Sequence, residues 1–175
     1  MTERLDMREV DVHLVELDPM RVAWYRYEGR EPERVAIQTV LDWAAGKGLL
    51  ERDSAPRFYG FNNPDPQFRN PVYGYEFWLV VDGDVEGDAP VQTKDVPGGL
   101  YVVALGLGEG WEWARRRFGF WAEENGYVYD DERQWLEEHV PVAEKLPQFP
   151  DLEDEERWAS IDVHLPIRSR EEGKA

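Results

Sequence analysis

The 175-residue chain carries 37 acidic against 20 basic side chains, a net charge of −17, and contains no cysteine. That balance leaves no basic face for nucleic acid or anionic lipid, and the lack of thiols removes disulfides and thiolate metal sites. With no apolar run of 18 residues and a charged stretch from Met1 to Arg8, the sequence predicts one cytoplasmic domain over 1–175, without membrane span or signal peptide.

Along the chain, VDVHLVEL (residues 10–17) reads as an additional strand that completes the sheet. MRVAWYRYEG (20–29) follows as a second strand. The next segment has Ile37, Val40, Leu41 and Ala44 at helical spacing, with Pro32 suited to the first turn and Gly46 or Gly48 to the exit. Two more strands are predicted at PRFYGFNN (56–63) and VYGYEFWLVV (72–81), separated by the breaker-rich FNNPDPQFRNP. DGDVEGDAP (82–90) reads as an acidic loop. A strand in LYVVALGLGEG (100–110) leads into a second helix, where Trp111, Ala114, Phe118, Trp121 and Ala122 form one stripe and Asn125-Gly126 ends it. RQWLEEHV (133–140) and RWASIDVHLPI (157–167) are the last strands. Between them PQFPDLEDEE (147–156) is expected to be a long, solvated, mobile hairpin loop. The tail SREEGKA is expected to fray.

Each half therefore reads strand–helix–strand–strand. Met20 precedes Leu100 by 80 residues, Pro32 precedes Trp111 by 79, and Glu76 precedes Asp162 by 86. A near-constant offset predicts a duplicated unit, with repeats at about 10–82 and 91–168. The fold class is α+β, with antiparallel sheets, both helices on one side and a ligand cleft between the halves.

Alternation divides the late strands into two faces. Tyr73, Tyr75, Phe77, Leu79 and Val81 belong to the core side, as do Ile161, Val163, Leu165 and Ile167. The opposite face holds Glu76 and Trp78 in one half, and Asp162 and His164 in the other. Either both acids stand on a water-facing sheet surface, as antiparallel sheets allow, or they share a cleft. Trp78 and Trp24 on the same face favour the cleft, because large rings are costly to expose.

The chain resembles the GyrI-like small-molecule-binding domain, the effector-binding module of AraC-type and multidrug-sensing transcription regulators. The resemblance rests on four stretches in order: MRVAWYRYEG, YGFNNPDP, PGGLYVVALGLGEG and ERWASIDVHLPIR. It implies two fused strand–helix–strand–strand units with an aromatic cleft floored by a carboxylate. The family usually places Glu on the last strand, where this chain has Asp162; Glu76 holds the corresponding place in the first half. The resemblance also implies a stand-alone member. Some such relatives hydrolyse cyclopropane-bearing alkylating agents and one inhibits DNA gyrase.

A carboxylate in an aromatic cleft has two uses. It neutralises a flat organic cation stacked on the rings, or it deprotonates a water while a tyrosine hydroxyl assists a leaving group. The ligand-binding candidates are Trp24, Glu76, Trp78, Tyr101, Trp111, Trp135, Asp162 and His164. For a hydrolase the catalytic candidates are Glu76, Asp162 and Tyr101. Ordinary core packing is the competing explanation for each aromatic, and Trp121 is assigned to the core. His13, His139 and His164 lack metal-ligand spacing, so no metal or cofactor is expected, and the histidines are read as strand-edge groups in water. Arg115, Arg116 and Arg117 read as a solvated helix face. The function expected is binding of a hydrophobic, cationic or polyaromatic small molecule, with no nucleic acid or membrane partner. Hydrolysis of reactive xenobiotics and a protein-interaction role such as gyrase inhibition are the alternatives.

Overall fold

The structure, a computed structural model, describes residues 12–51, 55–104, 118 and 121–171. In chain order they form β1 (Val12–Leu17), β2 (Met20–Gly29), α1 (Pro32–Gly46), β3 (Phe58–Asn62), β4 (Tyr73–Val81), β5 (Gln92–Val96) and β6 (Gly99–Ala104). After a helical turn at 121–124 come β7 (Tyr127–Tyr129), β8 (Leu136–Pro141), a 3-10 helix (Ala143–Asp151), the single-turn α2 (Asp154–Arg157) and β9 (Trp158–Ser169). No helix among them is long and apolar enough to cross a membrane.

The strands build one antiparallel nine-stranded sheet ordered β1-β6-β9-β8-β3-β4-β2-β5, with β7 added to β9. The fold is thus α+β, as expected, but with one continuous sheet rather than separate ones. Read from the β3–β8 seam outward, β3-β4-β2 on one side mirrors β8-β9-β6 on the other. That order is compatible with two copies of one strand–helix–strand–strand unit. The N-terminal strand pairs with β6 at one edge, from Val12↔Ala104 to Leu17↔Gly99.

Helix α1 buries Ala36, Ile37, Val40, Leu41 and Ala44 against β2 and β4. Its sheet partners are the expected odd-numbered residues: Tyr75, Phe77, Leu79 and Val81 all lie in this core. The second helix is described at Phe118 and 121–124, where Phe118 and Ala122 are buried and Phe118 joins a cluster with Val102, Leu165 and Ile167. Trp121 is only half-buried, stacked on Tyr127 at 6.0 Å, so its assignment to the core is corrected to a covering position.

The segment expected to be a mobile loop is instead ordered against α1. Leu146 and Phe149 are buried, and Phe149 meets Trp158 edge-on at 5.2 Å. Arg157 holds the turn with three bonds: Nε to the Phe149 carbonyl at 2.8 Å, Nη1 to Asp154 at 2.8 Å and Nη2 to Gln38 Oε1 at 2.6 Å. Its acidity disguised one buried aromatic worth about 1.5–3 kcal/mol and one buried guanidinium. A register shift between Val140 and Pro141 turns Trp158 toward Phe58, Phe77 and His139.

Under the seam, on the helix-bearing face, runs a buried polar line. His139 Nε2 lies 3.0 Å from the Tyr75 hydroxyl, which donates to Glu137 Oε2 at 2.9 Å. The Tyr75 proton being committed to Glu137, the imidazole donates to Tyr75 and leaves Nδ1 as a buried acceptor without a partner. Gly60 makes room for this line, since a Cβ there would stand 2.1 Å from the Tyr75 oxygen. Burial holds His139 down to about 3 and pushes Glu137 up to about 7, the latter despite the Tyr75 bond. His139 and His164 are both buried, which corrects their reading as water-facing edge groups; His13 on β1 is exposed.

Candidate functional site

The face of the sheet opposite α1, helix-free among the described residues, collects almost every candidate. Cross-strand register pairs Trp24 with Trp78, Trp78 with Tyr59, Tyr59 with Glu138 and Glu138 with Asp162. One line of neighbouring side chains therefore crosses β2, β4, β3, β8 and β9. One step along the strands, Glu76 pairs with Phe61, while Leu136 pairs with His164 and His164 with Val103. Directly opposed residues of an antiparallel pair share a face, so Glu76 and Asp162 stand on the same side of the sheet. Neither lies in open water: Glu76 is 4% exposed and Asp162 is 8%.

At the β4 end, Glu76 is the centre of a small box. Trp78 donates its indole N–H to Oε1 at 2.6 Å, Asn63 Nδ2 donates to Oε2 at 3.0 Å, and the Lys94 ammonium is paired with Oε1. The same ammonium lies 4.4 Å from the Trp24 ring centre and 4.8 Å from that of Trp78. Phe61 closes one flank, edge-on to Trp78 at 5.0 Å. A buried carboxylate needs this much compensation, since an unpaired charge in such a place is expensive.

Across the seam, Glu138 is flanked by His164 Nε2 at 3.2 Å and Arg57 Nε at 3.5 Å. Arg57 also donates to the Tyr59 hydroxyl and lies over its ring. Burial raises the Glu138 carboxyl, but the bonds and charges of His164 and Arg57 outweigh it and hold the group below its ordinary value. Burial, with the Glu138 charge behind it, pushes the Tyr59 hydroxyl well up. His164 sits edge-on to Tyr59 at 5.8 Å and beside Tyr101 at 6.2 Å. Tyr101 packs under the Arg133 guanidinium at 4.9 Å and donates to the Gln134 carbonyl at 3.4 Å. Burial raises its hydroxyl too, against the pull of Arg133.

At one end of the seam, between the exit of β3 and the entry of β8, lies a pocket of about 480 Å³. Asn62, Asn63, Arg133 and Trp135 are among its walls. Asn63 links it to the Glu76 box, because the same side chain bonds the carboxylate.

Trp24, Glu76, Trp78, Tyr101, Asp162 and His164 thus gather on one face, and Trp135, 5% exposed, lines the pocket at the end of the seam. Trp78, Tyr101 and Trp135 belong to a single buried cluster, with Trp24 packed against it. Trp111 and the Arg115–Arg117 run lie outside the described residues. Sequence reasoning missed Tyr59, Glu138, Arg57 and Lys94. Alternation in PRFYGFNN already puts Tyr59 and Phe61 opposite Phe58, so Tyr59 was within reach. Lys94 was not, since QTKDV carries no apolar pattern to mark it as β5. Among the described residues no group of three or more acidic or histidine side chains is placed to hold a metal ion.

The sequence matches no curated protein. Among solved structures, the C-terminal domain of EcmrR aligns with a TM-score of 0.59 at 14% identity, covering 92% of this chain and 99% of that one. A hydrolase from Listeria innocua aligns at 0.60 and 13% identity, covering 90% and 91%. At these identities the likeness is one of fold. Residues 13–167 match the family model of the integron-associated effector binding proteins (Cass2), and the chain belongs to that GyrI-like family.

Proposed function

We propose that the protein binds a small, flat, largely apolar effector bearing a cationic group, on the helix-free face between the two halves, and so sequesters or senses it. Effector binding is the property for which its family is described. The observation that carries the finer reading is Lys94: the box formed by Trp24, Trp78 and Glu76 already holds an organic ammonium. A cation over two indole rings gains about 0.5–2 kcal/mol from each, and the carboxylate adds charge pairing. The pocket lined by Trp135 and Asn63 adjoins this box through the Asn63–Glu76 bond.

The test is a tryptophan-fluorescence and calorimetric titration with 1-methylquinolinium and its neutral isostere 1-methylnaphthalene. Saturable binding that favours the cation is expected; saturation by neither probe overturns the reading. Mass spectrometry of ligand mixtures after incubation separates binding from turnover.

A further inference from the structure

We infer that Lys94 is a built-in competitor for the cation subsite, so that a cationic effector enters the Trp24–Trp78–Glu76 box by displacing the lysine ammonium. The inference rests on the proposed reading of this face as a cation site and adds how that site is filled in the absence of effector.

Three observations fit a group built to leave. Lys94 lies on β5, an edge strand whose only partner among the described residues is β2, with Lys94 opposite Val22. Its side chain is 34% exposed, against 5% for that of Glu76, so the ammonium reaches water by rotating its own stem while the backbone pairing stays intact. The rest of the box stays in place when it goes. Trp24 and Trp78 are opposed on interior strands, and Glu76 keeps its bonds from Trp78 and Asn63. The vacated space is then a carboxylate and two ring faces with no cation.

The consequence is selectivity. A tethered group competes at an effective concentration of roughly millimolar. Simple ammonium ions at lower concentration lose to Lys94, whereas a cation carried on an aromatic body adds stacking that the lysine stem lacks. Binding is an exchange of one cation for another, so it leaves the charge of the box unchanged and spares Glu76 an unpaired state. A neutral aromatic gains nothing from evicting Lys94.

The experiment compares wild type with Lys94→Met, which keeps the stem volume, and Lys94→Ala. We expect 1-methylquinolinium to bind Lys94→Met about tenfold to a hundredfold more tightly, the scale of a charge-assisted contact freed from competition, with 1-methylnaphthalene changed by less than about threefold. An equal change for both probes, or none, overturns the inference. Lys94→Ala deletes the atoms of n-propylammonium, which at millimolar concentration should raise its Tm while 1-propanol does not and wild type does not respond. Absence of that rescue also overturns it. In wild type, reductive methylation followed by mass spectrometry should show Lys94 reacting faster once 1-methylquinolinium is bound; unchanged reactivity in the saturated protein counts against displacement. If wild type binds neither probe but Lys94→Met binds the cation and propylammonium rescues Lys94→Ala, the effector reading fails and the role of Lys94 stands. If wild type binds the cation and Lys94→Met gains nothing, the effector reading stands and the competitor falls.

Discussion

Glu138 Oε2 stands 3.2 Å from His164 Nε2, a diagonal contact between β8 and β9 that ties the middle of the helix-free face together. His164 Nδ1 lies 3.3 Å from the Asp162 carbonyl oxygen, so both ring nitrogens face acceptors. With Arg57 on its other oxygen, Glu138 is held ionised in a place where burial alone would favour the proton. A carboxyl whose folded value lies below its unfolded one stabilises above the unfolded value, and that stability is lost as pH falls through the folded value. Glu138→Gln is therefore expected to cost about 1–3 kcal/mol at pH 7. The cost should shrink steadily below the ordinary glutamate value of 4.5. Urea denaturation of both proteins across that range measures it; an equal cost in acid and at neutral pH contradicts the pairing.

Glu76→Gln separates charge from shape in the aromatic box. The amide keeps the volume and an acceptor for Trp78, but it no longer attracts a cation. Made in the Lys94→Met background, where no ammonium competes for the carboxylate, the change should lower affinity for 1-methylquinolinium about tenfold or more, a loss of about 1–4 kcal/mol for charge pairing across about 4 Å. Affinity for 1-methylnaphthalene should hardly move. Calorimetry on both probes decides it, and an equal loss for both would mean the substitution merely deformed the site.

Gly60 is held to be glycine by packing, since a Cβ would stand 2.1 Å from the Tyr75 oxygen and 2.6 Å from its ring carbon. Gly60→Ala is expected to push Tyr75 off Glu137 and His139 and to cost about 2 kcal/mol or more, through overpacking and loss of buried bonds. A denaturation midpoint unchanged from wild type would show that the ring can shift without cost.

With a net charge of −17, the protein is expected to leave duplex DNA unretarded in a gel at physiological salt. A shifted band that weakens steeply with salt would show a basic surface that the charge balance conceals.

Strand alternation was enough to separate Phe77 and Val163 from Glu76 and Asp162, because a period of two leaves no choice once one face is apolar. The order of β1 to β4, β6, β8 and β9 was legible for the same reason, whereas β5 and β7 were not. The seam was not: nothing in PRFYGFNN or RQWLEEHV says that Tyr59 will face Glu138, since partner choice between strands is made by the whole sheet. The box around Glu76 was half legible. Glu76 and Trp78 share a face two residues apart, but the ion that completes them comes from Lys94, 18 positions on, in a strand too polar to announce itself. The segment 147–156 was misread as a mobile loop because its acidic surface hides Phe149, whose partner Trp158, like the Arg157–Gln38 bond that holds the turn, is visible only in the fold. The mirrored strand order supports the proposal that 10–82 and 91–168 descend from one duplicated unit.

The line His139–Tyr75–Glu137 makes opposing demands on pH. His139 is held down to about 3 by burial against an ordinary 6.5, so the unfolded chain binds the extra proton between those values. Its contribution is complete above 6.5 and is lost as pH falls toward 3. Glu137 is pushed up to about 7 from 4.5, so here the folded chain binds the extra proton. Its contribution is complete below 4.5 and is lost as pH rises through 7. Each slope is at most about 1.4 kcal/mol per pH unit, and between 4.5 and 6.5 the two offset one another. Glu137→Gln keeps an acceptor for Tyr75 and removes only the second slope. The stability of wild type minus that of Glu137→Gln should therefore fall as pH rises from 4.5 to 7, while the variant alone grows more stable from 3 to 6.5. Chemical denaturation at half-unit pH steps gives both curves. A difference curve that is flat across this window would mean that Glu137 keeps its ordinary titration, and that water reaches the line beneath Gly60.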